Sequence, residues 1–231
     1  MYISRVRVAT ERLDRMALLK LLSGDAYSSH QLLWRLFPNE SQRPFLFRQE
    51  MEDEQLAANE GPRGLALFYL VSTDEPVCVP SLLEVNSKPY SPKLIAGEQL
   101  FFRLRANPTI ARKQPGEKRS RRHDVLMDAK WQWRQGGESS PESLRMVMDD
   151  CAIQWLADRS KGLGFELVSA PQVSGYRQHL WSRRHRQIKF SSIDYEGVLT
   201  VTDPELFSHT LFAGMGRSRA FGCGLLMVKR M

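Results

Sequence analysis

Two side chains near the start of the chain, Tyr27 and His30, could act together on a bound molecule, although Tyr27 could also be an aromatic residue that covers the end of a helix. An imidazole gains or loses its proton near neutral pH, so His30 could act as a general acid or a general base. Asp25 is a typical helix N-cap and Pro38 a typical stop, which predicts a helix between them. Residues three apart lie on one side of a helix, so Tyr27 and His30 would face the same way. On residue type alone, the more ordinary interpretation is that His30 packs beside Leu33.

A second stretch that could bind a ligand is Gly214–Leu226, which combines four glycines with two arginines. Glycine allows positive φ, so successive N–H groups can turn toward one anion, and guanidinium groups suit phosphate. The stretch has no Gly-Lys-Ser/Thr of a Walker loop, and it follows a predicted helix, which excludes a dinucleotide fingerprint. The commoner structure for such a pattern is a plain turn. The candidate binding residues here are Gly214, Gly216, Arg217, Arg219, Gly222 and Gly224.

The charge of the chain points to a polyanionic partner, since the net charge is +7. Basic residues concentrate in two segments, Arg112–His123 and Tyr176–Lys189. In the second segment, aromatic side chains are interleaved with the basic ones. A charge run of this kind is usually a solvated loop, but these two segments are also the densest candidates for phosphate contacts. The candidates are Arg112, Lys113, Lys118, Arg119, Arg121, Arg122, Arg183, Arg184, Arg186 and Lys189.

The remaining composition narrows the class of protein. Cys78, Cys151 and Cys223 are far apart, which argues against a zinc site and a disulfide framework. Asp149 and Asp150 are adjacent in a predicted helix and point apart, so we expect no two-metal site and no cofactor. The N-terminus lacks an apolar signal core, and no apolar run reaches membrane-spanning length. We therefore expect a soluble, cytoplasmic protein that does not bind a membrane.

The first half of the chain is predicted to form strand, helix, strand, strand, helix, strand. Alternating residues predict a half-buried strand over Tyr2–Ala9. Further strands are predicted over Phe45–Gln49 and Gly64–Ser72, and the second is apolar on both faces and therefore central. Val77–Val85 is predicted to hold a short helix and the fourth strand. With the helix that carries His30, this is the ferredoxin-like order.

The second half is predicted to repeat that order after a boundary at Asn86–Gly97, which contains prolines and a glycine. Ser140 and Pro141 mark the start of one helix and Gly162 its end. Asp203 caps a second helix. The predicted strands are Leu100–Ala106, Leu163–Ser169, Ile193–Val201 and Gly222–Lys229. The expected fold class is α+β, with two tandem ferredoxin-like (RRM-like, βαββαβ) domains at residues 1–92 and 97–231.

Four motifs lie in order along the chain: YSSHQLLWRLFP at residues 27–38, LFFRLRANP at 100–108, YEGVL at 195–199 and GMGRSRAFGCGLL at 214–226. Together they resemble the CasE family, the repeat-processing endoribonucleases of type I-E CRISPR systems within the RAMP class of RNA-binding proteins. The resemblance covers essentially the whole chain. It places the family's catalytic histidine at His30, the companion tyrosine at Tyr27 and the glycine-rich loop at Gly214–Gly224. Arg186 and Lys189 occupy places comparable to the family's basic residues.

The resemblance implies an endoribonuclease that binds the hairpin of CRISPR repeat RNA and cuts at the base of its stem without a metal. Attack by the RNA's own 2′-hydroxyl would leave a 2′,3′-cyclic phosphate, or its opened form, and a 5′-hydroxyl. The protein would then stay bound as a subunit of the Cascade complex. An A-form stem is recognised mostly by its shape, phosphates and 2′-hydroxyls, which suits the basic segments.

Two questions stay open at the level of sequence. The chain could be a non-catalytic RNA-binding subunit of the same class that holds a hairpin without cutting it, although Tyr27 and His30 together favour the enzyme. We also expect His30 near the N-terminal end of its helix, where the helix dipole would disfavour the imidazolium. A bound phosphate would act in the opposite direction, so the acid and base roles of His30 both stay open.

Overall fold

The computed structural model describes residues 1–9, 26–51, 66–80, 82–113, 119–137, 140–183 and 186–231. Their contacts divide them into two compact units. Unit 1 consists of Met1–Lys93, Phe212–Gly214 and Arg219–Leu225, and unit 2 of Leu94–Leu211, Met215–Ser218 and Leu226–Met231. The glycine-rich stretch therefore supplies residues to both units. No helix in the described ranges is long and apolar enough to cross a membrane.

Unit 1 is built on a four-stranded antiparallel sheet. Its elements are β1 (Tyr2–Val8), α1 (Ala26–Trp34), β2 (Phe45–Met51), β3 (Ala66–Ser72) and β4 (Leu83–Pro89). The strands lie in the order β2-β3-β1-β4, and all neighbours are antiparallel. β3 is buried at every position except Tyr69, as expected for a central strand. This strand order is that of a ferredoxin-like unit, as predicted.

The core of unit 1 is made by α1 and the sheet. Leu33, Leu36 and Phe37 are at most 4% exposed, which confirms the predicted inner face of the helix and of the turn after it. Phe37 stacks on Phe45 with the ring centroids 5.1 Å apart. Burial of an aliphatic or aromatic side chain of this size stabilises a fold by about 1.5–3 kcal/mol. These contacts hold α1, and with it His30, against β2.

The short helix predicted within Val77–Val85 is absent from the described residues of that range, so this prediction is wrong. Residues 77–80 contain no helix and lead into a bridge between Val79 and Leu83. Pro80 explains the difference, because proline lacks the N–H of a helical hydrogen bond and disfavours helical backbone in the residue before it. The fourth strand, β4, then begins at Leu83.

Unit 2 repeats the strand order with additional elements. In chain order these are β5 (Gln99–Ala106), β6 (Thr109–Arg112), β7 (Arg121–Asp124), α2 (Val125–Gln135), α3 (Pro141–Ser160), β8 (Phe165–Leu167), β9 (Gln172–Arg183), β10 (Arg186–Val201), α4 (Pro204–Ala213) and β11 (Leu226–Arg230). The main sheet has the order β11-β5-β10-β8, which matches that of unit 1. β8 and β9 pair with successive parts of β10 and share the place of the second strand. The predicted fold class, two ferredoxin-like units, is confirmed.

Polar side chains start the helices of unit 2. Ser140 accepts a hydrogen bond from the N–H three residues on, at 3.4 Å. Asp203 accepts from the N–H groups two and three residues on, both at 3.0 Å, so both predicted N-caps are confirmed. The predicted helix end at Gly162 is wrong. A 3₁₀ turn, Lys161–Leu163, follows α3, and Gly164 at φ 83° is the residue that reverses the chain.

Both basic segments lie in antiparallel hairpins. Arg112–His123 is predicted as a solvated loop, but β6 and β7 pair across it. Tyr176–Lys189 lies in the hairpin of β9 and β10. Backbone groups pair across each hairpin whatever the charge of the side chains, so charge alone does not reveal the strands. The last strand begins at Leu226 and not at the predicted Gly222, because Gly222 and Gly224 have positive φ.

Candidate active site

His30 lies in the middle of α1, as the fifth of its nine residues, and not at the N-terminal end as predicted. Its ring is half-buried, and its centroid lies 6.1 Å from that of Trp34 and 6.0 Å from that of Phe45. The indole N–H of Trp34 donates to His30 Nε2 at 3.2 Å. Because Nε2 accepts this bond, the neutral ring carries its proton on Nδ1.

The surroundings of His30 favour its neutral form. Burial lowers the pKa of the imidazole, and the positive charge of Arg43 lowers it further. Protonation would also remove the hydrogen bond from Trp34, since both ring nitrogens of an imidazolium are donors. The pKa of His30 is lowered, as we expected from the helix dipole. The cause is different, because the dipole acts mainly within the first turn of a helix and His30 lies beyond it.

Tyr27 lies one turn before His30 on α1 and is partly exposed. Its phenol oxygen accepts a hydrogen bond from Gln31 Nε2 at 2.9 Å. The same helix is fastened to β2 by buried Ser29, whose hydroxyl donates to Gln49 Oε1 at 2.8 Å. The helix therefore offers one phenol and one imidazole, three residues apart, on a rigid support.

Arg43 is part of the same site, and sequence reasoning missed it. It lies just before β2, and its side chain is half-buried. Its Nη1 is buried and has no hydrogen-bond partner among the residues that the structure describes. Burial lowers the pKa of Arg43, and the nearby charge of Arg219 lowers it further. An Arg-Pro pair ahead of an apolar strand carries no sequence signal that would mark it as functional.

The glycine-rich stretch brings Arg219 to α1. A 3₁₀ turn, Arg219–Phe221, packs on both α1 and β2, and Arg219 Nη1 donates to the carbonyl oxygen of Ala213 at 2.5 Å. Gly222 has φ 80°, and a Cβ there would lie 3.1 Å from the Phe47 ring. The glycine thus permits both the turn and the close approach to the strand.

Unit 2 contains a groove of about 590 Å³ in which three predicted RNA-binding residues meet. Arg122 comes from β7, Lys189 from β10 and Arg217 from the segment Met215–Ser218. Buried Asn107 also lines the groove, and its amide donates to the hydroxyl of Ser218 at 2.7 Å. Segments that are distant in sequence therefore present one positively charged, concave surface.

A model of a family described as "CRISPR associated protein" matches residues 1–230. The chain belongs to this family of CRISPR-associated proteins. It is 29% identical to the CRISPR system Cascade subunit CasE of Escherichia coli over 216 residues, 93% of this chain and 96% of the relative. It is 31% identical to the CRISPR-associated endoribonuclease Cse3 of Thermus thermophilus over 161 residues, 61% of this chain and 60% of the relative.

Solved structures agree with this membership. The CRISPR-associated protein Cas6e from Escherichia coli has a TM-score of 0.64 and 26% identity, and each chain is covered completely. CRISPR endoribonuclease Cse3 bound to a 19 nt RNA has a TM-score of 0.70 and 23% identity, with 99% of this chain and 100% of that chain covered, and it supports the fold. The resemblance to CasE that the motifs indicated is confirmed.

The other predicted RNA-binding residues whose side chains the structure describes are not among those that line the groove. The Arg112 guanidinium is held by Asp128, with both carboxylate oxygens 2.8 Å from Nε. Lys113, Arg119 and Arg121 are exposed near the β6–β7 hairpin. The end of the β9–β10 hairpin pairs Arg183 with Arg186, of which only the backbone is described. Lys118 and Arg184 fall outside the described residues.

Two further features bear on the chemistry of this CRISPR-associated protein. A Cβ at Gly214, which has φ 71°, would lie 2.7 Å from a Leu46 methyl group, so that side chain would have to shift, while a Cβ at Gly216, which also has positive φ, would only contact the Trp155 ring at 3.6 Å. Gly224 also has positive φ. Across the described ranges, no three residues of the types His, Cys, Asp and Glu lie close enough together to hold a metal ion.

Proposed function

We propose that this protein binds the hairpin of CRISPR repeat RNA and cuts it at the base of the stem, as a metal-independent endoribonuclease. The observation that carries the proposal is half-buried His30, whose pKa is lowered by burial and by Arg43, on a helix against which the turn that carries Arg219 packs. A neutral imidazole can take a proton, and neighbouring cations attract a phosphate. The similarity along most of the chain to CasE, and to a Cse3 named as an endoribonuclease, agrees with this chemistry.

The reaction needs no external nucleophile. The 2′-oxygen of the nucleotide before the cut attacks the adjacent phosphorus, and the bond from phosphorus to the 5′-oxygen breaks. The 2′-hydroxyl loses its proton to a base, and the departing 5′-oxygen gains one. The products are a 2′,3′-cyclic phosphate and a 5′-hydroxyl, and water can later open the cyclic phosphate. The protein has to position the RNA, move two protons and stabilise charge on the phosphate.

His30 is assigned the first proton transfer. Its lowered pKa keeps it unprotonated near pH 7, so it can accept the proton of the 2′-hydroxyl. Nε2 is the unprotonated nitrogen, and taking the proton there requires Trp34 to release its hydrogen bond. Tyr27 lies one turn away and is partly exposed, and its hydroxyl, which accepts a hydrogen bond from Gln31, is assigned to orient the 2′-hydroxyl or to contact the phosphate.

The groove of unit 2 is assigned to the RNA backbone. Arg122, Lys189 and Arg217 line it, and their spacing over one concave surface suits several phosphates of an A-form stem. The remaining predicted basic residues and glycines keep their RNA-binding assignment as part of this proposal. The relative in Escherichia coli is named as a Cascade subunit, and we assign the same complex to this protein.

The test is incubation of the protein with a labelled cognate repeat hairpin in EDTA. We expect one cut in EDTA, and a 5′ fragment that poly(A) polymerase extends only after its terminal phosphate has been removed. Cleavage that requires added magnesium would contradict the metal-independent mechanism. Tight binding of the hairpin without any cut would instead identify a non-catalytic RNA-binding subunit.

A further inference from the structure

Arg43 has an environment that an anion would complete. It lies two residues before Phe45, whose ring centroid is 6.0 Å from that of His30. Its buried Nη1 has no hydrogen-bond partner within the described part of the chain. Among the residues that the structure describes, the charge that lowers the pKa of Arg43 is that of a second cation, Arg219, whose turn packs on α1 and β2. Like charges this close repel each other unless a counter-charge is bound.

A phosphate diester supplies the hydrogen-bond acceptors and the negative charge that this environment lacks. Its two non-bridging oxygens are strong hydrogen-bond acceptors and share one negative charge. A guanidinium presents several N–H groups in one plane and can bind both oxygens at once. A buried N–H with no partner among the described residues gives up no hydrogen bond to the protein when it turns to bind such an oxygen.

We propose that Arg43 donates from Nη1 to a non-bridging oxygen of the phosphate that is cut, beside His30, with Arg219 as the second cation. This rests on the proposed function. Arg43 gives up no proton: the 2′-hydroxyl proton and the proton gained by the 5′-oxygen move as described above. Negative charge on the non-bridging oxygens grows as the 2′-oxygen attacks, so the hydrogen bonds from Arg43 strengthen during the reaction.

The phosphate also links Arg43 to His30. In the free protein the Arg43 charge helps to keep His30 neutral. A phosphate bound to Arg43 cancels part of that charge, so the pKa of His30 rises toward its ordinary value once RNA is in place. His30 therefore accepts a proton more readily when the scissile phosphate is seated than in the free protein.

The first experiment compares the single-turnover cleavage rates of Arg43→Gln, Arg43→Lys and a control. Lys88→Gln is the matched control, because it removes one positive charge from exposed Lys88 on β4, at the opposite edge of the sheet from β2. We expect Arg43→Gln to lose about 10²–10³-fold in rate, as when one oxyanion-binding donor is removed. Arg43→Lys keeps the charge without the planar fork, so it should lose less. Lys88→Gln should cut at the wild-type rate.

The second experiment tests the contact itself in equilibrium binding. The probes are repeat hairpins with a 2′-deoxy nucleotide at the mapped cut, which cannot react, and with either the natural phosphate or an uncharged methylphosphonate there. Wild-type protein should bind the methylphosphonate probe more weakly, and this difference between the probes should be smaller for Arg43→Gln, in which Arg219 is the remaining cation. Equal losses in both proteins would overturn the assignment of Arg43. Melting curves show which variants fold, and Arg43→Lys serves as the test if Arg43→Gln does not.

The outcomes separate this inference from the proposed function. Wild-type protein that does not cut the repeat contradicts the proposed function. Wild-type protein that cuts, together with Arg43→Gln that cuts equally fast, contradicts only the role of Arg43.

Discussion

Three features of its surroundings favour the neutral form of His30. Burial opposes the charged ring, Arg43 repels it, and Trp34 donates to the nitrogen that a second proton would occupy. Each of them favours a base that waits unprotonated for its substrate. The contact with Trp34 follows from the i, i+4 spacing on α1, whereas the burial of His30 and the charge of Arg43 depend on how α1 packs in the fold.

Replacement of His30 by alanine is expected to separate cutting from binding. Loss of the imidazole removes proton transfer, which typically contributes about 10²–10⁴-fold. Most proposed phosphate contacts lie on other elements, so repeat affinity should change by less than about 1.4 kcal/mol, a tenfold change in Kd. Tyr27→Phe should lose less, because its ring remains and only the hydroxyl bonded by Gln31 is removed.

The measurement is single-turnover cleavage beside equilibrium binding, with a melting curve as the control for folding. In the wild type, kcat/KM should fall on the acid side with an apparent pKa below the ordinary histidine value of about 6.5, since His30 must be unprotonated. A wild-type rate for His30→Ala would remove the catalytic assignment, and a folded variant that cannot bind would make His30 a recognition residue.

At the scale of elements, the turn Arg219–Phe221 connects the glycine-rich stretch to α1 and β2. Its position depends on small residues at either side, because Gly214 and Gly222 both have positive φ and both face side chains of β2. The glycines therefore set where Arg219 lies, whatever else their N–H groups bind. The division into domains at residues 1–92 and 97–231 stays a prediction.

Gly222→Val is expected to lower both stability and cleavage. Valine resists φ 80°, and its Cβ would lie 3.1 Å from the Phe47 ring, so the turn that carries Arg219 must shift. Gly137→Val is the matched control, because Gly137 has φ 77° with nothing within 4 Å of the added Cβ. Both variants should share the backbone cost, about 1–2 kcal/mol. Only Gly222→Val should also slow cleavage, and equal behaviour of the two in melting and cleavage assays would show that the Phe47 contact does not matter.

At the scale of the whole molecule, the net charge of +7 is concentrated in a few regions. The groove of unit 2 gathers Arg122, Lys189 and Arg217 from three segments. The exposed positions Arg119 and Arg121 lie near it in sequence, at the β6–β7 hairpin. Long-range attraction to RNA depends on this summed field more than on any one side chain.

Neutralisation of Arg119, Arg121 and Arg122 together is expected to weaken RNA binding and to flatten its salt dependence. For a duplex, log K falls against log salt with a slope near about −0.9 per phosphate neutralised, so each lost contact reduces the slope. Removal of three exposed charges elsewhere, Lys88, Arg134 and Lys161, is the charge-matched control. The measurement is filter binding over a range of salt concentrations. If the slope of log K against log salt is unchanged when Arg119, Arg121 and Arg122 are neutralised, or is the same as in the control variant, the basic segment has another role.

Features that depend on neighbouring residues could be predicted from the amino-acid sequence. Alternation along β5, the caps Ser140 and Asp203, and the inner face of α1 follow from periods and hydrogen bonds that span a few residues. The four motifs indicated the family by their resemblance to CasE, which also needs only the sequence. The helix α2 was not predicted, although its N-cap, Asp124, is a recognisable start signal in the sequence.

The contacts between residues that are far apart in sequence became visible only in the tertiary structure. Arg43 reaches His30 because β2 packs beside α1, and Arg219 joins them because the chain returns to unit 1 near its end. Arg122, Lys189 and Arg217 share a groove only through the packing of unit 2. Such meetings depend on strand register and on side-chain packing between segments far apart in sequence, and no local pattern of residue types encodes them.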